Sequence, residues 1–236
     1  MINFKNRSLQ KEILDQNNIP FMEIERNMKE LDFINRHLGG HSITLRGFKK
    51  LLQNKKTISV CEIGCGGGDN LSSINNFCKK KAIKSLFAGI DINKDCIAFA
   101  KKNCKIENAE FIVADYKDVQ FGTAKPGIIF SSLFCHHFTN DELIKMLDWM
   151  YKNSTEGFFI NDLHRHPVAY YFIKTATRLF SKSRLVKNDA PLSVLRGFRK
   201  REWKKIFEKA GIENYSIEWK WAFRYLITVP KSNSID

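Results

Sequence analysis

The sequence predicts a doubly wound α/β fold with a seven-stranded, mainly parallel sheet. From residue 57 onward, short apolar runs alternate with amphipathic helical patterns, which is typical of βαβ units. A glycine-rich turn joins the first run to the first helix. Two closely spaced strand patterns, within residues 213–229, predict an antiparallel hairpin at one edge of the sheet. The length of 236 residues suits one substantial domain with additions.

The strands are predicted where β-branched and aromatic residues cluster between polar segments. They cover residues 57–63, 85–91, 109–114, 127–133, 157–162, 213–220 and 223–229. Between the fourth and fifth strands, Thr139 and Glu142 predict a capping box at the start of a helix. Before the hairpin, Trp203 and Phe207 lie on one apolar helical stripe, which Gly211 is placed to end.

Two segments fall outside the alternating pattern. Residues 1–55 have a helical pattern and are predicted to form an N-terminal cap, which leaves residues 56–236 as the main domain. Residues 163–197 form an aromatic and basic insertion after the fifth strand. Ligands of open α/β sheets bind at the carboxyl ends of the strands. We therefore expect both segments to cover that edge, the insertion acting as a substrate cap.

Composition limits the class of protein. No apolar run approaches the roughly 20 residues that a membrane-spanning helix needs. The amino terminus carries charged and amide residues where a secretory signal has its apolar stretch, so we expect a cytoplasmic protein. The six cysteines show neither CxxC pairs nor the histidine spacing of zinc sites. We expect reduced thiols and no metal site.

The net charge of +14 suggests a nucleic-acid partner, because clustered Lys and Arg contact phosphates. The lysines are instead spread over several predicted helices, for example at 79–81, 101–102 and 204–205. This distribution favours an ordinary solvated surface. Nucleic acid remains the weaker alternative for a partner.

The glycine-rich turn is the most informative segment, and it runs from Glu62 to Asp69 as Glu-Ile-Gly-Cys-Gly-Gly-Gly-Asp. A dinucleotide fingerprint needs a third glycine at the position of Asp69, whose carboxylate would face a pyrophosphate. A phosphate-binding loop of nucleotide hydrolases needs a Gly-Lys-Ser or Gly-Lys-Thr ending, which is absent here. Both of these nucleotide sites are disfavoured.

The remaining pattern, Glu-x-Gly-x-Gly-x-Gly at Glu62, Gly64, Gly66 and Gly68, resembles the first motif of the class I S-adenosylmethionine-dependent methyltransferases. The resemblance implies S-adenosylmethionine as cofactor, with this loop and Cys65 beside its methionine portion. The cofactor carries positive charge and no phosphate, so an acidic loop suits it. The further cofactor-binding residues that the resemblance implies are Asp91 and Ile92 at the ribose, Asp115 and Tyr116 at the adenine, and Leu133.

The fourth strand ends Leu-Phe-Cys-His-His-Phe at residues 133–138, without the proline-containing motifs of adenine, glutamine or cytosine methyltransferases. This ending is similar to that of small-molecule methyltransferases of quinone biosynthesis. A strand-end histidine suits a general base. We predict His136 or His137 first in this role, followed by His164 and Asp162, which lie at the end of the fifth strand.

The acceptor is expected to be a small aromatic or apolar molecule. Tyr170 and Tyr171 in the insertion are predicted to line its pocket, while Phe172 is predicted to lie in the core. Arg165 is predicted to pair with an acidic group of the substrate or with Asp162. O-methylation is the leading function. An RNA methyltransferase and a cofactor-binding partner subunit without catalysis remain alternatives.

Overall fold

The protein is described by a computed structural model that covers residues 2–15 and 19–231. The helices and strands alternate along the chain after two N-terminal helices. The strands are β1 Thr57–Ile63, β2 Lys84–Asp91, β3 Ala109–Val113, β4 Ile128–Ser132, β5 Gly157–Leu163, β6 Ser216–Lys220 and β7 Arg224–Pro230. The helices are α1 Phe21–His37, α2 Gly40–Leu52, α3 Asp69–Lys80, α4 Lys94–Asn103, α5 Asn140–Asn153, α6 Pro167–Phe180, α7 Arg184–Arg196 and α8 Lys200–Lys209.

The seven strands form one sheet in the order β3-β2-β1-β4-β5-β7-β6. The strands β1 to β5 are parallel, and β7 pairs antiparallel with both β5 and β6. The predicted α/β fold and its edge hairpin are therefore confirmed. The strand order reverses between β1 and β4, and a crevice opens at the carboxyl ends of the strands at such a point.

Apolar side chains cover both faces of the sheet, as a doubly wound fold requires. One cluster includes Phe48 of α2, Leu71 of α3 and Phe130 of β4. The cluster on the other face includes Leu147 of α5, Phe158 of β5 and Trp203 of α8. Because both sides of β1 and β4 are buried, the loops that follow these strands begin from fixed positions.

Local sequence signals place the helix ends as predicted. The Thr139 side chain accepts a hydrogen bond from the Glu142 backbone N–H, and the Glu142 carboxylate accepts one from the Thr139 backbone N–H at 2.8 Å. These two bonds satisfy backbone donors that would otherwise lack partners at the start of α5. Gly211, just beyond α8, has a φ of 67°, in the left-handed region that favours glycine.

The N-terminal region differs from the predicted cap over residues 1–55. Residues 2–15 form no helix, and α2 packs on the sheet with Phe48 and Leu51 in its core. Of the described N-terminal residues, those that line the ligand edge belong to α1 and the segment before it, together with His41 at the start of α2. The insertion after β5 forms α6 and α7, which pack against each other. Within the described residues, no helix combines the length and the apolar character needed to cross a bilayer.

Candidate functional site

A cleft of about 1420 Å³ lies at the carboxyl ends of β1 to β4, beneath α1. It is large enough for a cofactor-sized ligand, since such sites measure about 300–1,000 Å³. The predicted cofactor residues that line it are Glu62, Gly64, Cys65, Gly66, Asp91, Ile92, Asp115, Tyr116 and Leu133. Gly68 is not among the lining residues, but it precedes α3 as its left-handed N-cap, with a φ of 75°.

The glycine loop is shaped by close packing. Gly64 has a φ of 67°, and a Cβ at this position would overlap the ring of Phe134. A side chain here would therefore be excluded by both backbone conformation and space. The Gly66 backbone N–H donates to Asp91 Oδ2 at 2.9 Å, which ties the loop to the end of β2.

The carboxylates after β2 and β3 both face the cleft. Asp91 Oδ1 accepts a hydrogen bond from the Asn93 backbone N–H at 2.9 Å, and burial raises the pKa of Asp91 despite this bond and the one from Gly66. Asp115 accepts a hydrogen bond from the Lys117 backbone N–H and caps a short 3-10 helix. It thus combines a local structural role with a position on the cleft wall.

The cleft wall is strongly acidic. The Lys and Arg side chains on this wall are Lys29, Arg36 and Lys94. Its carboxylates are more numerous: Asp15, Asp32, Glu62, Asp69, Asp91, Asp95 and Asp115. Glu62 is fully buried, and its Oε2 has no hydrogen-bond partner among the described residues. Burial, followed by the charges of Asp69 and Asp91, raises the pKa of Glu62 well above its usual range. An unpartnered acceptor in an acidic cleft fits a cationic ligand with hydrogen-bond donors.

Residues that sequence patterns did not indicate complete the wall near the glycine loop. His41 Nε2 lies 2.7 Å from Asp69 Oδ2, and the Asn35 side-chain amide donates to the same oxygen at 3.1 Å. These contacts hold α1 and α2 against the start of α3. They hold the pKa of the partly buried Asp69 below its usual value, against the effect of burial.

His136 is locked between two carboxylates. Its Nδ1 lies 2.8 Å from Asp162 Oδ1, its Nε2 lies 3.5 Å from Glu12 Oε1, and its side chain is only 2% exposed. Burial alone would lower the pKa of His136, but the charge of Asp162 and the contacts to both carboxylates raise it to about 9. A group that holds its proton at neutral pH is a poor general base. The sequence did not distinguish His136 from His137 as the candidate general base, whereas the geometry does.

His137 faces the ligand space instead. Its Nδ1 lies 3.0 Å from Asp15 Oδ1, and its Nε2 lies 3.9 Å from Glu12 Oε2. It lines both the cleft and a second, smaller cavity, as Leu133 does. A ring whose Nδ1 is oriented by a carboxylate presents its Nε2 for proton transfer.

An N-terminal strap, residues 4–15, carries Glu12 and Asp15 to the histidines. Arg196 donates to the carbonyl oxygen of Gln10 at 2.6 Å. The Asp189 carboxylate accepts from the backbone N–H groups of Ile13 and Leu14 at 2.8 and 3.0 Å. The strap has no regular secondary structure, so no periodicity in the sequence could have indicated it.

Arg165 proves to hold this strap, and the structure does not place it at a substrate. It is 1% exposed, donates to the carbonyl oxygens of Phe4 and Lys5 at 3.1 Å, and forms an ion pair with Glu202 at 2.6 Å. It lines neither cavity and does not pair with Asp162, because its guanidinium is fully used in packing the strap against α8.

His164, Asp162 and the two tyrosines also lie outside the cavities. Burial, together with the charges of His166 and Arg199, lowers the pKa of His164 to about 4, and its Nδ1 accepts a hydrogen bond from Trp219. Asp162 is fully buried, and its carboxylate contacts His136 Nδ1. Tyr170 and Tyr171 pack against Phe4 of the strap.

The second cavity has a volume of about 160 Å³ and lies between α1, α6 and α7. Its apolar walls include Leu31, Ile34, Ala169, Phe172, Ile173 and Val194. Phe172 therefore faces this cavity, where sequence analysis expected a core position. Since the apolar residues of α6 include both buried and exposed positions, its periodicity does not identify the face that meets the ligand.

Two clusters among the described residues bring three potential metal ligands within 4.8 Å of one another. They are Glu12, His136 and His137, and Asp32, His41 and Asp69. The first cluster already contains cations, because the Arg196 guanidinium lies 4.0 Å from Glu12 and 3.5 Å from Asp15. Charge compensation by Arg196 and a protonated His136 leaves little attraction for a divalent ion. The expectation that no metal is bound is retained.

Residues 60–157 match the protein family described as Methyltransferase domain. No curated protein matches the sequence. Among solved structures, the plantazolicin methyltransferase BpumL in complex with SAH is 15% identical, with a TM-score of 0.61 over 89% of this chain and 96% of that one.

Two other solved structures share the same fold. A SAM-dependent methyltransferase from Aquifex aeolicus is 15% identical, with a TM-score of 0.61 over 90% of this chain and 99% of that one. Magnesium protoporphyrin IX methyltransferase from Synechocystis PCC 6803, with bound SAM, is 12% identical, with a TM-score of 0.56 over 92% and 100%. The fold is the Rossmann-like methyltransferase fold, and the family match supports S-adenosylmethionine as the cofactor.

Proposed function

We propose that this protein is a class I S-adenosylmethionine-dependent methyltransferase that methylates the oxygen of a small, largely apolar acceptor, with His137 as the general base. The observation that carries the proposal is the position of His137, which lines both the acidic cleft and the small apolar cavity. A methyl donor in the cleft and an acceptor in the cavity would meet at this side chain. The resemblance of residues 133–138 to the strand endings of quinone-biosynthesis methyltransferases is in keeping with such an acceptor.

The cleft residues suit the donor. Glu62 Oε2 offers a buried acceptor for a ligand donor group, and Asp91 is placed to accept from ribose hydroxyls. Asp115 and Tyr116 lie where the adenine is expected. When bound, S-adenosylmethionine supplies an electrophilic methyl group on a positively charged sulfur, and the acidic wall favours that charge.

The two histidines have different roles. His137 Nε2 takes the proton of the acceptor hydroxyl, while Asp15 orients the ring through Nδ1. His136 remains protonated between Asp162 and Glu12 and fixes the loop that carries His137. The strap and the α6–α7 insertion surround the acceptor and exclude water from the transfer.

The test is a turnover assay with S-adenosylmethionine and a panel of phenols and hydroxylated aromatic acids, with methylated product detected by mass spectrometry. His137→Gln is expected to lower kcat by about 10²- to 10⁴-fold while leaving the affinity for S-adenosylhomocysteine unchanged. His37→Gln, on the exposed face of α1, is the matched control. Full activity of His137→Gln would refute the role of this base.

The same assay separates the two alternatives. A protein that binds S-adenosylhomocysteine but forms no product with any acceptor would favour a partner subunit without catalysis. Methylation of RNA with a steep dependence on salt would favour the RNA methyltransferase. The apolar walls of the small cavity favour the small-molecule acceptor over both.

A further inference from the structure

Two residues that line the small cavity carry buried hydrogen-bond donors that lack partners. Asn27 Nδ2 and Arg224 Nη1 have no hydrogen-bond partner among the described residues, although the two residues are only 2% and 3% exposed. Both residues line the cavity. A buried donor without a partner costs free energy, so such donors indicate the site of a missing acceptor atom.

The other polar side chains of this cavity are already paired. Glu12 accepts a hydrogen bond from Ser193 at 2.7 Å, and Asp189 accepts from the strap backbone. His136 and His137 contact Asp162 and Asp15. The unused hydrogen-bonding capacity of the cavity therefore lies with Asn27 and Arg224, and both offer donors.

Arg224 also brings a positive charge. Its Nη2 donates to the neutral Asn35 amide oxygen at 3.0 Å, and within the described part of the chain no carboxylate lies at ion-pair distance. Burial lowers the pKa of Arg224 to about 10, although the more distant charges of Asp162 and Asp69 oppose this effect. A buried guanidinium of this kind attracts an anionic oxygen, to which the unpartnered Nη1 of Arg224 would donate.

The volume of the cavity suits a ligand of one ring. A volume of about 160 Å³ is close to the roughly 150 Å³ of an apolar cavity that binds one benzene molecule. Side chains such as Leu31, Phe172 and Val194 supply apolar contacts for a single ring. A ring bound in this cavity would thus meet polar groups at two places. One is the proposed base His137, and the other is formed by Arg224 and Asn27.

We infer that the methyl acceptor is a compact, one-ring-sized molecule with two oxygen functions, a hydroxyl that faces His137 and a separate anionic oxygen of the carboxylate or enolate class that pairs with Arg224 and Asn27. The inference rests on the proposed function. It extends that function by naming the charge and size of the substrate. Arg224 and Asn27 then act as substrate-binding residues.

The test uses calorimetric titration with phenol and with 2-, 3- and 4-hydroxybenzoate, in the presence and absence of saturating S-adenosylhomocysteine. At least one hydroxybenzoate is expected to bind about 10- to 150-fold more tightly than phenol, the value of a hydrogen bond to a charged group. Arg224→Gln is expected to abolish this preference, and Asn27→Leu, which keeps the side-chain size, to reduce it. Arg178→Gln on the exposed face of α6 should retain it.

Two results would overturn the inference. The first is equal affinity for phenol and all three hydroxybenzoates in the wild-type protein. The second is a preference that is undiminished in both Asn27→Leu and Arg224→Gln, or undiminished in Asn27→Leu if Arg224→Gln does not fold. Failure of the proposed function looks different, since no methylated product would then form in the turnover assay, whether or not the hydroxybenzoates bind with the expected preference.

Discussion

Asp162 Oδ1 lies 2.8 Å from His136 Nδ1, and both side chains are buried at the carboxyl ends of the central strands. The pair joins the end of β5 to the loop after β4, and Glu12 of the strap approaches the other nitrogen of the same ring. A charged imidazole between two carboxylates is stabilised by both, whereas removal of one partner would leave a buried charge uncompensated. The pair therefore fixes the loop from which His137 reaches the ligand.

The first prediction concerns the pH dependence of stability. Because folding raises the pKa of His136 from about 6.5 to about 9, its contribution is fully present below pH 6.5. The contribution is lost progressively as the pH rises through 9, and it amounts to on the order of 3 kcal/mol. Urea unfolding at pH 6.5 and 9.5 measures the loss.

His136→Gln should remove most of this difference in the free energy of unfolding between the two pH values. The exposed His37→Gln variant should keep it. An unchanged difference in His136→Gln would show that His136 is not the titrating group.

The second prediction concerns the strap. Asp189→Ala removes the acceptor of the Ile13 and Leu14 backbone N–H groups. We expect it to make the free energy of docking of the strap on the domain less favourable by about 1–3 kcal/mol. Hydrogen exchange in residues 4–15 should then become faster, while exchange in the central strands stays unchanged. The rate of methyl transfer should fall more than the affinity for S-adenosylhomocysteine, because the strap supplies Asp15 to His137.

Asp118→Ala, on an exposed 3-10 helix, is the control for loss of one carboxylate. Unaltered exchange of the strap in Asp189→Ala would mean that other contacts, such as those of Arg165 and Arg196, are sufficient to hold it.

The third prediction concerns metals. Arg196 and a protonated His136 already compensate the carboxylates near His137, so we expect activity without a metal ion. Treatment with EDTA followed by gel filtration should leave the turnover rate unchanged, and added Zn²⁺ or Mg²⁺ should not raise it. Loss of activity with EDTA and recovery with a metal would instead make Glu12, His136 and His137 ligands.

The sequence predicted the fold and the edge of the sheet at which the candidate cofactor residues meet, because both depend on local patterns. The glycine loop and the acids that follow β2 and β3 are adjacent to strand ends in the sequence, and parallel strands bring those ends to one edge. Asp91 and Asp115 accordingly line the cleft as predicted.

The residues on the acceptor side of the site are positioned by tertiary packing, which local sequence patterns do not show. Arg165 is polar and adjacent to the site in sequence, but the strap buries it, and nothing in its local pattern indicates that partner. Tyr170 and Phe172 lie on one helix whose apolar residues include both buried and exposed positions, so which of them meets the cavity depends on how α6 packs against α7. Glu12 and Asp15 reach the histidines only through the irregular strap.

The measurement that tests the central claim most directly is calorimetric titration of the purified protein with S-adenosylhomocysteine. We predict a Kd in the micromolar range, and Asp91→Ala should weaken it by about 10- to 150-fold because hydrogen bonds to a charged group are lost. Asp118→Ala should bind like the wild type. No heat of binding for either S-adenosylhomocysteine or S-adenosylmethionine at millimolar concentration, in a protein shown to be folded by thermal unfolding, would contradict the account.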